Sequence, residues 1–434
     1  MKRQIGFYAL TAIVIGSQLG SGVFILPAAL AEYGPFSLIG CLLSGIGAIL
    51  LTLVFGNLAM YYPDVGGPHI YIAKVFGFKW GFFATWCYWI VSFVSTTVVV
   101  VTGCSYIVPI LASCTGQSVG SEVIFGLEVV CILIFMTLNL FGSNVSAKAE
   151  MVLSLLKIIP MVVLPIGCFF YFNKSNFNSD VAALHISFHS VLSNATLIAF
   201  WGFIGLESGT TPVETVKNPQ TISRALVWGT SLVALIYMAI GVAVMGVIPI
   251  AALRKMDAPF VAITQIMVGG QWHLAIGAAV FMVCLGTLNA WIFISGQIAS
   301  SAGKTNMLPV FFAKTNRYSA PQYSIAISSL GIIPFLVLTL NSSLKQQLLD
   351  LIDVSVIIFL WLYLLSVCAY GKLLWNNSIK RTFGSCMVAL FAGIFSVWMI
   401  VSAMSWLHVT VWSIILVSGL PVYAYMKKQK HRII

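Results

Sequence analysis

Two glycines and a serine, Gly20-Ser21-Gly22, sit inside the first apolar segment, which runs from Phe7 to about Leu30. That segment is long enough to cross a bilayer, at roughly 20 residues per crossing. A Gly-Ser-Gly at mid-membrane is costly. Each glycine disfavours helix by about 1 kcal/mol relative to alanine. Unwinding also frees N–H and C=O groups that lipid cannot satisfy. Such a break has two uses. It lets a neighbouring helix pack closely, as small residues do, or it lines a cavity where its N–H groups hold an anion such as a carboxylate.

The rest of the chain narrows the choice. Of 434 residues, 60% are hydrophobic and 8% charged, against roughly 25% charged in soluble domains. The apolar runs are long and do not alternate, which excludes a transmembrane barrel. The expected fold is an all-α membrane protein of about twelve spans, near 7–30, 37–61, 81–110, 122–142, 151–172, 190–212, 225–248, 273–301, 323–340, 349–370, 383–404 and 409–426. The whole chain 1–434 reads as one transmembrane domain.

The net charge of +11 is not a nucleic-acid footprint, because of where it lies. With the N-terminus inside, 17 of the 22 Lys and Arg fall on inner connections and the C-terminal tail, among them Lys2, Arg3, Lys74, Lys148, Lys217, Lys304 and Lys372. Four fall outside (Lys174, Arg254, Lys255, Lys345) and Lys157 lies within a span. This bias places both termini in the cytoplasm. Met1-Lys2-Arg3 before an apolar run has the look of a signal peptide, but cleavage after Gly-Ser-Gly strands the later spans in the wrong orientation. The expectation is an uncleaved first helix. Nine scattered cysteines without a CxxC read as buried apolar residues, and His185 with His189, lacking an acidic or Cys partner, reads as an interfacial turn. No metal or cofactor is expected. The inner connections near 62–79 and 302–322 have room for short surface helices. No P-loop or soluble domain fits, so any work depends on a gradient or on exchange.

The first break has a counterpart five spans later. Span 6 reads Ala199-Phe200-Trp201-Gly202-Phe203-Ile204-Gly205-Leu206-Glu207-Ser208-Gly209, with three glycines, a serine and an ionisable Glu near its centre. Interrupted helices at equivalent positions in two halves are the mark of inverted-repeat transporters. The expectation is therefore a five-plus-five repeat, with repeat one near 7–172 and repeat two near 190–370. Two additional helices follow near 383–426.

Intramembrane ionisable groups are costly, at roughly 2.5–3.5 kcal/mol or more, and mark function. Two stand out. Glu207 can bond freed N–H groups, pair with a cation, carry a proton, or serve only as a structural hydrogen-bond donor. Lys157 either snorkels to the inner interface or stands as a fixed cation beside the first break. Asp350 and Asp353 read as interfacial. Trp201 and Trp291 lie too deep for the interfacial belt; they pack the core or stack on a planar or cationic ligand. A channel needs a continuous polar lining and a membrane enzyme needs converging catalytic groups; neither pattern is present. A receptor-like amino-acid sensor on the same fold is a further alternative, though such a sensor usually carries a long soluble tail.

Gly20-Ser21-Gly22-Val23-Phe24 with Leu26-Pro27-Ala28 resembles the first-span signature of the amino acid–polyamine–organocation (APC) superfamily. Trp201 to Ser208, followed by Val216-Lys217-Asn218-Pro219, resembles the sixth span of its bacterial basic amino acid/polyamine antiporters. Gly296-Gln297 and Val354-Ser355-Val356 extend the likeness over essentially the whole chain. Arginine/agmatine exchangers are most similar, with lysine/cadaverine and putrescine/ornithine exchangers close behind. The resemblance implies a LeuT-like fold in the cell inner membrane, alternating access, an amino-acid or polyamine substrate, and a possible homodimer. It also implies roles. The amides of Ser21 and Gly22 bind the α-carboxylate, and carbonyls near Gln18, Trp201 and Ile204 take the α-amino group. Trp201 is an inner lid, Trp291 stacks on the substrate side chain, and Ser355 hydrogen-bonds it. Ser92 and Thr96 face the substrate. Tyr88, Glu207 and Tyr363 form a cytoplasmic-side gate, with Glu207 the proton sensor. The chain departs from the arginine exchangers at Thr96 (Asn there), Val91 and Ser92 (small residues), Phe359 (Thr) and Lys157 (Ala). A lysine in span 5 is similar to proton-coupled and L-type members of the superfamily.

Overall fold

The computed structural model describes residues 6–63, 67–177, 187–210, 216, 218, 220–256, 258–338 and 344–433. Lys2, Arg3, His185, Lys217 and Pro219 lie outside the described residues. The chain is helical throughout. In order the helices are α1 (Phe7–Gln18), α2 (Gly22–Leu30), α3 (Ser37–Tyr61), α4 (Pro68–Phe76), α5 (Phe78–Thr115), α6 (Ser121–Leu140), α7 (Ser143–Phe170), α8 (Phe188–Trp201) and α9 (Gln220–Val247). They continue as α10 (Ile250–Leu253), α11 (Pro259–Met267), α12 (Trp272–Lys304), α13 (Gln322–Leu330), α14 (Ile333–Leu338), α15 (Leu344–Trp375), α16 (Phe383–Ala403) and α17 (Trp406–Ile433). The chain forms a multi-pass integral membrane protein.

Among the described residues, eight stretches are long and apolar enough to cross a membrane: Gly22–Tyr61, Phe78–Thr115, Ser121–Leu140, Gln220–Val247, Trp272–Lys304, Leu349–Trp375, Phe383–Ala403 and Trp406–Gln429. The first of these is two helices, because Gly34 (φ 56°) turns the chain between α2 and α3. The other segments read as spans from sequence are present in other forms. The 12-residue α1 stops at the first break, the 14-residue α8 stops at the second, and Gln322–Leu338 is a shorter apolar stretch divided into α13 and α14. α7 is a helix of 28 residues.

Helices α3, α8 and α9 pack together, with α1 against α9. On the other side α12 lies against α5 and α7, and α15 against α4, α5 and α16. Large apolar side chains such as Leu42, Ile46, Val130, Ile134, Val163, Leu235 and Val401 are exposed around the outside. Lipid tails suit that surface, since they solvate leucine as well as a protein core does. The polar interior lies where α1, α2 and α8 stop short.

Candidate functional site

Span 1 unwinds between Gln18 and Gly22. No described residue accepts from the N–H of Ser21 or Gly22, while Phe24 N–H already returns to the Ser21 carbonyl at 3.0 Å. The two N–H groups head α2, where aligned peptide dipoles favour negative charge. A side chain at position 22 is obstructed: a Cβ there lies 3.1 Å from Trp201 Cζ3 and 3.1 Å from Tyr237 Oη.

The second break follows Trp201, where α8 gives way to turns and then a 3-10 helix, Leu206–Thr210. Gly205 adopts φ +99°, and a Cβ on it meets the Ser17 carbonyl oxygen at 3.2 Å. Only glycine fits both the dihedral and the contact. The breaks touch through hydroxyls: Ser208 Oγ donates to Ser17 Oγ at 2.6 Å, and Ser17 Oγ donates to the Val14 carbonyl at 2.9 Å.

Between the breaks lies a narrow cavity. Of the residues singled out from sequence, Gln18, Ser21, Gly22, Trp201, Ile204 and Trp291 line it. Four of its buried side-chain atoms have no hydrogen-bond partner: Gln18 Oε1, Ser21 Oγ, Ser95 Oγ and Trp201 Nε1. An unmet buried polar group costs about 1–3 kcal/mol. The cavity holds four of them, beside two unclaimed N–H groups, so among the described residues its wall has polar atoms left to be met. The wall supplies N–H donors at one end and the rings of Trp201 and Trp291 elsewhere, a set suited to an anionic group on an apolar or cationic body.

Ser92 and Thr96 do not line this cavity. Their hydroxyls turn back on their own helix: Ser92 Oγ donates to the Trp89 carbonyl and Thr96 Oγ1 to the Ser92 carbonyl, each at 2.6 Å. Ser92 also accepts from Ser295 Oγ at 2.8 Å. The cavity side of α5 is presented by Ser95 and Val99 instead. Residues 92, 95, 96 and 99 share one stripe of the helix, so spacing alone does not say which of them reach the cavity wall. Ser355 is fully buried, lies off the cavity lining, and its hydroxyl has no partner.

The residues absent from the sequence reading lie mainly on α9 and α12. Tyr237 Oη donates to the Gln18 carbonyl at 3.1 Å, and Gln18 Nε2 donates to Thr230 Oγ1 at 2.9 Å. Seven residues apart, Thr230 and Tyr237 share a face of α9 and hold both ends of the last residue of α1. Thr287 closes the lining beside Gly20. Nothing in the local sequence around these residues announces this; the pairing crosses 212 and 219 positions. Glu128, two turns into α6, is a further buried acid at 4% exposure, visible in sequence as an ionisable residue within a span.

Glu207, three residues past Ile204 of the cavity lining, is 2% exposed and not itself part of that lining. Tyr88 donates to its Oε1 at 2.9 Å and Tyr363 to its Oε2 at 2.5 Å. Three helical regions therefore meet on one carboxyl group. Lys157 is 4% exposed, within α7, so its side chain does not snorkel out. It packs on Gly286, while Gly20 packs on the adjacent Thr287. Asp353 has one buried oxygen without a partner. Among the described residues no group of three or more His, Cys, Asp or Glu is arranged to hold a metal ion.

The chain is similar in sequence to known bacterial transport proteins. The cadaverine/lysine antiporter of Escherichia coli (strain K12) is 26% identical over 356 residues, covering 80% of this chain and 78% of the relative. The putrescine transporter PotE of the same strain is 27% identical over 373 residues, covering 85% of this chain and 83% of the relative. The amino acid permease family model matches residues 5–424. The chain belongs to the amino acid permease family.

Proposed function

We propose that this protein is a secondary transporter that exchanges a basic amino acid for a related amino acid or its decarboxylation product, as in arginine for agmatine. The carrying observation is the cavity between the breaks, where Gln18, Ser21, Ser95 and Trp201 each present a buried polar atom without a partner. The substrate carboxylate binds the N–H groups of Ser21 and Gly22. Its ammonium takes carbonyls at the end of α1 and around Trp201 and Ile204, and its side chain lies against Trp291. The Tyr88–Glu207–Tyr363 cluster closes the cytoplasmic side, and its parting releases the substrate inward. Glu207 senses the proton. The names of the relatives support the substrate class.

The same proposal covers architecture: twelve spans in the inner membrane, arranged as a five-plus-five inverted repeat with two extra helices and both termini cytoplasmic. The charge bias of the connections supports it.

The buried Lys157, packed beside the α12 residues that face the first break, favours a second reading. It is a proton-coupled permease of broader specificity. Counterflow in proteoliposomes separates the two. Labelled arginine is followed against unlabelled amino acids and polyamines, with and without a pH gradient. Trans-stimulation without a gradient establishes exchange; uptake that needs the gradient and ignores the trans substrate establishes the permease.

A further inference from the structure

A fully buried ring, Phe359, packs on both Trp291 of the cavity wall and the tyrosines of the Glu207 cluster. Its centroid lies 6.1 Å from Trp291 on the cavity side. On the other side it lies 5.8 Å from Tyr88 and 5.9 Å from Tyr363, the two residues that hold the Glu207 carboxyl. Trp291 lines the cavity; Phe359 does not. The order is cavity, Trp291, Phe359, tyrosine pair, carboxyl group.

Ser355, Phe359 and Tyr363 are spaced by four along α15 and form one stripe of that helix. Ser355 is the anomaly of the stripe, because its hydroxyl is buried with no partner at all. Ser355 thus offers an unpartnered polar group one helical turn from the ring that packs on Trp291.

We propose that Phe359 is the specificity-determining residue that sets how long a substrate side chain this site accepts. This rests on the reading of the cavity as an amino-acid site. The ring bars side chains that reach past Trp291, and its replacement by a smaller residue opens the space toward Ser355 and the tyrosine pair. Short side chains end at Trp291 and do not touch Phe359. Long ones must displace it.

The test is uptake competition in proteoliposomes by wild type, Phe359→Ala and Phe359→Leu. Two graded series are used: ornithine, lysine and arginine, and the neutral alanine, norvaline and norleucine. One methylene of fit in an apolar pocket is worth roughly tenfold or more. The efficiency ratio of the longest to the shortest substrate in a series therefore rises by about tenfold in Phe359→Ala, and by less, in the same direction, in Phe359→Leu. A ratio within about twofold of wild type, in a variant that still carries the short substrate, overturns the proposal. Where Phe359→Ala fails to give monodisperse protein, Phe359→Leu decides by the same criterion. Wild type that carries only the neutral series defeats the basic-substrate reading and leaves the length test in force on norleucine and alanine. Wild type that carries neither series defeats both.

Discussion

The two breaks answer the same physical problem in opposite ways. Each interrupts a helix in the interior of the bundle and each frees backbone groups. At the first, α9 ties down only the end of α1, through Thr230 and Tyr237 on Gln18, and the N–H groups of Ser21 and Gly22 stay unclaimed. At the second, the side chain introduced by the break is fully occupied: Glu207 takes a hydroxyl on each oxygen. An interruption that leaves donors unmet is prepared for something that arrives. One that satisfies itself is prepared to be undone. On the proposed reading, binding falls to the first break and gating to the second, and the two meet at Ser17, which takes Ser208 Oγ and lies against Gly205.

The largest effect tests the first half of that division. Gly22→Leu puts side-chain atoms where Trp201 and Tyr237 already stand, 3.1 Å from the Cβ position. Substrate binding, followed by scintillation proximity or calorimetry, falls by more than about 100-fold while the protein still inserts and purifies. Near-normal binding removes the carboxylate role of the first break. The next effect tests the second half. Glu207→Gln replaces an acceptor-only group with one that offers NH₂ to a tyrosine that is itself donating. One charge-assisted bond is lost, worth about 1.5–3 kcal/mol. Binding persists, and the pH dependence of exchange flattens. An unchanged pH profile with normal rates makes Glu207 a structural member and nothing more.

Both breaks are legible in the sequence because glycine, serine and glutamate are conspicuous in a chain that is 60% hydrophobic. The residues that finish the site are not. Tyr237 and Thr230 come from a helix more than 200 positions away, and a tyrosine or threonine in a span gives no local sign of its partner. Ser92 and Thr96 differ in another way: they share a stripe of a 38-residue helix with Ser95 and Val99, and only packing decides that 95 and 99 line the cavity. The breaks also shape the helices around them: α1 has 12 residues and α8 has 14, too few to cross a membrane unbroken, though both are apolar.

A smaller effect asks how firmly α9 holds the first break. Tyr237→Phe removes one hydroxyl and keeps the ring, so the Gln18 carbonyl loses a donor while the wall stays filled. A neutral hydrogen bond contributes about 1 kcal/mol, which converts to roughly a fivefold weakening of substrate binding. Thr230→Val acts on the other end of Gln18 and weakens binding to a similar degree. The double variant gives less than the product of the two, because both act on one residue. A full product makes the two contacts independent and dissolves the idea of a single latch.

The smallest effect lies beneath the second break, in α4 outside the spans. His69 is buried with both ring nitrogens unpartnered, its ring 5.9 Å from that of Tyr88. Burial disfavours the imidazolium and pushes the pKa down from 6.5 to about 4. The arrangement that buries His69 therefore binds fewer protons than one that exposes it. It is fully favoured above pH 6.5 and progressively loses stability as the pH falls from 6.5 toward 4. Between pH 7.5 and 5.5 the loss is about 1 kcal/mol, from the gap between an exposed and a buried imidazole. His69→Phe keeps the packing and cannot titrate. The difference between wild type and His69→Phe in melting temperature in detergent therefore widens by a few degrees from pH 5.5 to 7.5, in favour of wild type at the higher pH. Parallel pH dependence in the two proteins shows that the imidazole is solvated in the resting state, and the seal beneath Glu207 is then looser than the closed cluster above it.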